Sequence, residues 1–228
     1  MLATLYHFWL CPFSRAARLA LHESEVEFDL KLEKTWERRT EFLALNPAGD
    51  VPVLQIDRDD ESDAAPAMAG IHNIFAYLVQ DGEPGLMGKT MADQITVRNL
   101  LHWFITKFDR EVTKNLVGQK VIKRLLRSGT PNGQAIRAGH HNIKIHLDYI
   151  QHLLARQKWL AGDTMTLADL MAAAQLSCVD YLGDVPWDDF GEAKLWYAKI
   201  KSRPSFRPLL GEHIPGTPPA DHYDDLDF

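Results

Sequence analysis

Leu2-Ala3-Thr4-Leu5-Tyr6-His7-Phe8-Trp9-Leu10-Cys11-Pro12-Phe13-Ser14-Arg15-Ala16-Ala17-Arg18-Leu19-Ala20 changes its apolar period half-way along. Leu2 to Phe8 is an apolar, β-prone run. After Cys11-Pro12, Ala16, Leu19 and Ala20 recur at helical spacing, so the chain opens as strand, turn and helix. A second strand is expected over Val26–Leu30, where Val26, Phe28 and Leu30 alternate with Glu27 and Asp29, leaving a polar face for water. Asn46-Pro47-Ala48-Gly49-Asp50 reads as a turn into a third strand, Val51–Ile56, with Pro52 confined to its beginning because a central proline leaves a ladder bond unmade. Ile71, Ile74, Phe75 and Leu78 mark a helix. The signal for a fourth strand before it is weak.

Gly82, Pro84, Gly85 and Gly88 form the clearest boundary. Beyond it strand signals nearly vanish. Leu100, Leu101, Phe104, Ile105 and Phe108 trace one apolar helical face, and Ile143, Leu147, Ile150 and Leu154 another. Thr166 and Asp169 have the spacing of a capping box, with Met165 and Leu170 as its hydrophobic staple. The chain therefore divides into an α/β domain over residues 1–82, an all-helical domain over 90–210 and an acidic tail over 211–228. Pro215, Pro218 and Pro219 punctuate that tail, which should be extended or loosely docked.

Composition sets limits on function. A net charge of -6 over 228 residues argues against nucleic-acid binding by bulk electrostatics. Charge is nonetheless uneven: Lys114, Lys120, Lys123, Arg124, Arg127 and Arg137 cluster without an acidic neighbour, whereas Asp59, Asp60, Glu61 and Asp63 form an acidic knot. Both read either as solvated surface or as partner-binding patches. Two cysteines are too few for a disulfide framework, and no leader or run of eighteen apolar residues is evident, so a reducing cytoplasm without membrane insertion is expected. His140, His141 and His146 show no recognised metal-ligand spacing, and no metal is expected.

Two features could carry chemistry. Cys11 lies between a strand and a helix, where unpaired helix N–H groups favour thiolate and supply a nucleophile; the alternative is an inert thiol. Ser14 stands where a dithiol motif would have its second cysteine, which excludes internal disulfide cycling but leaves a mixed disulfide open. Pro52 could be cis, turning Val51 toward a ligand, or an ordinary trans proline at a sheet edge. Cys178 lies in an apolar helical run and reads as core.

Cys11-Pro12-Phe13-Ser14-Arg15, Asn46-Pro47-Ala48-Gly49, Val51-Pro52-Val53-Leu54 and the Trp159-to-Leu170 block together resemble the glutathione transferase family. The resemblance implies an α+β protein, a thioredoxin-like N-terminal domain followed by an all-helical C-terminal domain, with a cis Pro52 and a homodimer. It also implies that Cys11 acts on the glutathione sulfur while Val51 and Pro52 hold its cysteinyl part. One element departs from the family pattern. Gly70-Ile71 occupies the place of the acidic-residue-and-serine pair that binds the γ-glutamyl group, and Glu61-Ser62 lies nine residues too early. Ile71 has no hydroxyl, and each charge-assisted bond lost would cost about 1.5–3 kcal/mol.

Phe108-Asp109-Arg110-Glu111-Val112-Thr113, Leu176–Trp187 and the ending Leu226-Asp227-Phe228 are similar to the glutathione-transferase-like cell-division proteins of alphaproteobacteria, which bind FtsZ. This likeness implies an FtsZ-filament regulator at the division site, with no cofactor required and with Tyr223, Asp224, Asp225, Leu226, Asp227 and Phe228 contacting the partner. Acidic residues with apolar anchors suit that role, combining long-range attraction with buried contact. The alternative is a glutathione S-transferase or thiol transferase that uses Cys11 with glutathione and an electrophile or a mixed disulfide.

Overall fold

The computed structural model describes residues 3–56, 67–81 and 84–226. The acidic knot at Asp59–Asp63, the Glu61-Ser62 pair, and the terminal Asp227 and Phe228 lie outside the described residues. The chain forms two compact units, Met1–Pro84 and Gly85–Phe228.

In the first unit β1 (Ala3–His7) leads into α1 (Pro12–Glu23), β2 (Phe28–Leu32), a 3-10 turn (Thr35–Glu37) and α2 (Thr40–Leu45). β3 (Val53–Ile56), β4 (Ala67–Ala69) and α3 (Ile71–Asp81) follow. The sheet order is β2-β1-β3-β4, with β1 and β2 parallel and β3 antiparallel to both its neighbours. This mixed order, entered by a βαβ unit, is the thioredoxin-like arrangement. The second strand begins two residues later than the alternation suggested. Glu25 has a left-handed backbone (φ 55°), and the Val26 amide caps Leu21 O, so the first alternating residue belongs to the helix exit. β2 is an edge strand, bonded to β1 alone among the described strands, and two of its apolar residues are uncovered: Leu30 is 45% exposed and Leu32 36%.

The second unit is helical. α4 (Met91–His102) runs without a break through π-type turns (Trp103–Thr113), α5 (Lys114–Val117), a second π segment (Gly118–Ile122) and α6 (Lys123–Leu125). Then come α7 (Gly133–Leu154), α8 (Leu167–Asp180), a 3-10 turn (Trp187–Asp189), α9 (Gly191–Lys201) and the short α10 (Arg207–Leu210). α8 is buried along all of its 14 residues, which is why its sequence is apolar on every face. α7 reaches α5 through Gly139, where any Cβ would lie 2.7 Å from Leu116 Cγ.

Burying α8 obliges its polar groups to find internal partners. At its start the capping box forms, and the Asp169 carboxylate accepts from Leu160 N (2.9 Å), Thr166 N (2.9 Å), Thr166 Oγ1 (3.0 Å) and Trp196 Nε1 (3.0 Å). Burial still pushes this carboxyl above the usual range, opposed by those donors. In mid-helix Gln175 donates to Phe104 O (2.8 Å) and accepts from Thr113 Oγ1, tying α8 to the π segment. π turns set carbonyls out of the ordinary α-helical ladder, and Gln175 takes one.

His146 of α7 is fully buried against Trp103 and Phe108. The Trp103 indole N–H can only donate, and it lies 2.9 Å from His146 Nδ1, so the imidazole carries its proton on Nε2, facing Glu111 Oε2 at 3.3 Å. Burial lowers its pKa to about 4 despite the opposing pull of Glu111.

Two stability predictions follow from these buried groups. Asp169→Ala strands several buried donors and should cost about 3 kcal/mol or more, against about 0.5–2 kcal/mol for Thr166→Ala, in urea unfolding. Equal losses would show that the carboxylate does no more than cap the helix. For His146 the folded state favours the neutral base. Its contribution is therefore complete above the ordinary histidine value and is lost as pH falls from about 6.5 toward 4. Over that range the wild type should lose about 3 kcal/mol more than His146→Gln; parallel curves would refute the neutral buried imidazole.

Candidate functional site

Each unit places one group of candidate residues. In the first, Cys11 is the N-cap of α1, half-buried, with extended backbone. Its sulfur accepts from Ser14 N at 3.5 Å, and its thiol points to Val51 O at 3.7 Å. The turn holding it is fixed from beneath. Buried Ser14 accepts from Phe8 N (3.3 Å) through Oγ, and wholly buried Arg15 donates from Nε to Trp9 O (2.7 Å). The Val51–Pro52 bond is cis. Cys11 and the Val51-Pro52 bond, far apart in sequence, are thus brought together, and Cys178 is buried in α8 of the second unit.

The next positions tell against a complete glutathione grip. Gly70 turns the chain into α3 with φ 83°, and its amide is engaged by Pro52 O at 2.9 Å. Ile71 is 4% exposed and packs into the core, and the Asn73 amide folds back onto Ala69 O. No hydroxyl or carboxylate of Gly70 or Ile71 faces a γ-glutamyl group. Among the described residues, the Gly70-Ile71 position thus offers no side-chain oxygen to a γ-glutamyl group.

In the second unit the segment after α10 is tied down by a succession of contacts. Tyr181 sits at the hub: its hydroxyl accepts from Ile214 N (3.0 Å) and donates to Thr217 O (2.7 Å), while its carbonyl accepts from Ala220 N (2.9 Å). Arg124 donates to Gly216 O (2.6 Å) and to Thr217 Oγ1. Tyr223 is wholly buried, edge-on to Tyr181 with ring centres 5.1 Å apart. It was expected among the partner contacts; its burial makes it an anchor of the segment instead. Asp224, Asp225 and Leu226 follow on the exposed side, Leu226 at 36%.

Beneath the anchor lie two wholly buried charges, Asp180 and Lys201. The Asp180 carboxylate accepts from Trp187 Nε1 (2.7 Å) and Tyr197 OH (3.2 Å) and meets His222 Nε2 at 2.9 Å. Lys201 Nζ donates to His222 O (3.3 Å) and Asp225 O (2.7 Å), with Asp180 Oδ2 at 3.8 Å. Trp187 and Tyr197 stack below, and Trp196 turns to Asp169.

Sequence reasoning missed Asp180, Lys201 and the role of Arg124. One signal was present: Asp169 and Asp180 are the only charged residues of α8, one at each end of an otherwise apolar run. The basic stretch is partly engaged internally, with Lys120 on Asp184 (2.6 Å) and Lys114 on Asp109 (3.0 Å). Among the described residues no group of three or more His, Cys, Asp or Glu could hold a metal, and no helix is long and apolar enough to cross a membrane.

Comparison with known proteins agrees with this architecture. Residues 10–80 match the glutathione S-transferase N-terminal domain and residues 131–204 its C-terminal domain. The chain is 46% identical over 226 residues to FtsZ-localized protein A of Caulobacter vibrioides, covering 99% of this chain and 98% of that one. The chain belongs to the glutathione S-transferase family. Among solved structures, FzlA from C. crescentus superposes with a TM-score of 0.95 at 46% identity, both chains covered completely. A glutathione S-transferase from Rhodospirillum rubrum F11 gives 0.94 at 47% identity, covering 99% of this chain and 100% of that one.

The gap at the γ-glutamyl position can be tested directly. With Ile71 packed into the core and the Gly70 amide already bonded, glutathione should bind no more tightly than about 1 mM in calorimetry. Micromolar affinity would show that the tripeptide carboxylate is held by other residues.

Proposed function

We propose that this protein binds FtsZ and stabilises its filaments at the division site, as a cytoplasmic homodimer whose exposed C-terminal end is the contact. The full-length likeness to FtsZ-localized protein A carries the reading. The arrangement of the two sites supports it. Gly70 and Ile71 bring no side-chain oxygen to the γ-glutamyl position, whereas Asp224, Asp225 and Leu226 are presented to solvent beyond a buried anchor. Asp227 and Phe228 continue the same chemistry in the sequence. Carboxylates steer an encounter and fix its register, and an apolar side chain supplies burial once contact is made. Two such ends on a dimer would attach to neighbouring filament subunits with raised effective concentration, so filaments are stabilised without a chemical step.

A second reading rests on the Cys11 geometry. A thiol at a helix start, 3.7 Å from Val51 O, is placed to exchange with or activate a small thiol such as glutathione. On this reading the chain is a glutathione-dependent thiol transferase or S-transferase acting on an electrophile or mixed disulfide.

One experiment separates the readings. A chain ending at Tyr223 keeps the anchor and loses only the exposed end; it should bind FtsZ at least about tenfold more weakly in a sedimentation or fluorescence titration, the scale of a lost hot spot. Cys11→Ala should leave that binding unchanged. Full affinity in the shortened chain would overturn the tail contact, and loss of FtsZ binding in Cys11→Ala would favour the thiol site.

A further inference from the structure

The exposed end begins at a point the structure fixes with unusual force, because two buried charges hold the backbone there. Lys201 is a fully buried ammonium at the end of α9. Such a group is tolerated only when its protons are all placed, and two of its acceptors are main-chain carbonyls of the terminal segment, those of His222 and Asp225. Its third neighbour is the Asp180 carboxylate at the end of α8. The Tyr223 and Tyr197 rings add to this, their centres 5.7 and 6.0 Å from the ammonium. His222 closes the group by meeting Asp180 from the segment itself. The chain from His222 to Asp225 thus wraps the amine and supplies what it would otherwise take from water.

We propose that Asp180, Lys201 and His222 are positioning residues for partner binding: they hold the backbone of residues 222–225 in one path, so that Asp224, Asp225 and Leu226 leave the helical unit already directed at the partner. The proposal rests on the C-terminal contact put forward above and assigns it its preorganising device. Ordering a flexible end on binding costs affinity, and an end ordered beforehand avoids most of that cost. The partner surface it fits is basic at its rim, with an apolar depression for Leu226.

The arrangement also makes docking sensitive to pH. His222 is raised above the ordinary histidine value, first by its bond to Asp180, with burial and the Lys201 and Lys194 charges opposing. The groups facing the cluster are Asp180 from α8, Lys201, Lys194 and Tyr197 from α9, and Asp224 and Asp225 from the segment itself. A raised histidine contributes fully below its unfolded value, and the contribution is lost as pH rises through the folded value. Docking should therefore be tightest below about pH 6.5 and loosen above it.

Amide hydrogen exchange on the full chain, corrected for intrinsic rates, reads the docking through Ala220, whose amide bonds Tyr181 O, and Tyr223, whose amide bonds Ala220 O. Protection at both should fall about fivefold as His222 loses its charge, the difference between a charge-assisted and a neutral hydrogen bond. His222→Gln should abolish that dependence while staying folded. Lys201→Met should lose protection at every pH and bind FtsZ at least about tenfold more weakly than wild type. Protection that ignores both pH and His222→Gln overturns the proposal, and so does wild-type FtsZ affinity in Lys201→Met with protection lost. In either case the partner reading stands. If Lys201→Met fails to fold, the exchange profiles of wild type and His222→Gln still decide. Absence of FtsZ binding in the wild type is a different result, overturning the partner reading and the positioning role with it.

Discussion

An apolar helix that is buried on every side and carries a carboxylate at each end sets the terms for the helical unit. α8 has no wet face, so neither Asp169 nor Asp180 can be solvated, and each must gather donors from elements far away in sequence. At the N-terminal end the answer is favourable twice over, because a carboxylate there also meets the positive end of the helix dipole. Asp169 collects two backbone amides, a hydroxyl and the Trp196 indole, and in doing so joins α8 to the loop before it and to α9. At the C-terminal end the dipole is adverse. Asp180 needs stronger company, and it takes an indole, a phenol, an ammonium and an imidazole.

The imidazole comes from the terminal segment, which is how a requirement of the core reaches the end of the chain. Lys201, brought in to offset Asp180, is itself buried and passes the requirement on to the carbonyls of His222 and Asp225. Docking of residues 211–226 is therefore part of completing the helical unit. Tyr181, the residue directly after α8, works in the same sense, giving its hydroxyl and its carbonyl to three points along the segment. A proline-punctuated stretch with no apolar period is ordered here by side chains that precede it.

Much of the fold could be read from residue patterns because local signals and tertiary outcome agree. The change of period around Cys11-Pro12 gave strand and helix correctly, and Thr166 with Asp169 gave the capping box, because both depend on neighbours a few residues apart. The start of β2 was misplaced because Val26 alternates with Phe28 and Leu30 in sequence, yet its amide belongs to the exit from α1. Cys11 and Pro52 could each be singled out from local chemistry, but their joining in one site was legible only through family likeness, since nothing in the sequence pairs residues forty apart. Lys201 was illegible for a different reason. A lysine at a helix C-terminus is what the dipole favours on a solvated surface, and only the arrival of His222 and Asp225 makes it a buried group. His146 is similar: the sequence marks no metal-ligand spacing around it, and its burial comes from Trp103 and Phe108 on the π segment.

The two sites differ in what a ligand would have to displace. In the first unit Cys11 is joined to Val51 O and the Gly70 amide to Pro52 O, and Ile71 is packed into the core. A ligand there gains only the difference between its bonds and those it breaks, which for like-for-like exchange is small. At the end of the chain the situation is reversed. Main-chain carbonyls and rings meet the internal demands of Lys201 and Tyr223, and the Asp224 and Asp225 carboxylates add attraction to Lys201 while both residues and Leu226 stay exposed. Contact there exchanges water for partner atoms, so the gain is what remains after the carboxylates lose their hydration. The same chemistry that completes the core thus determines which residues of the terminal segment face water.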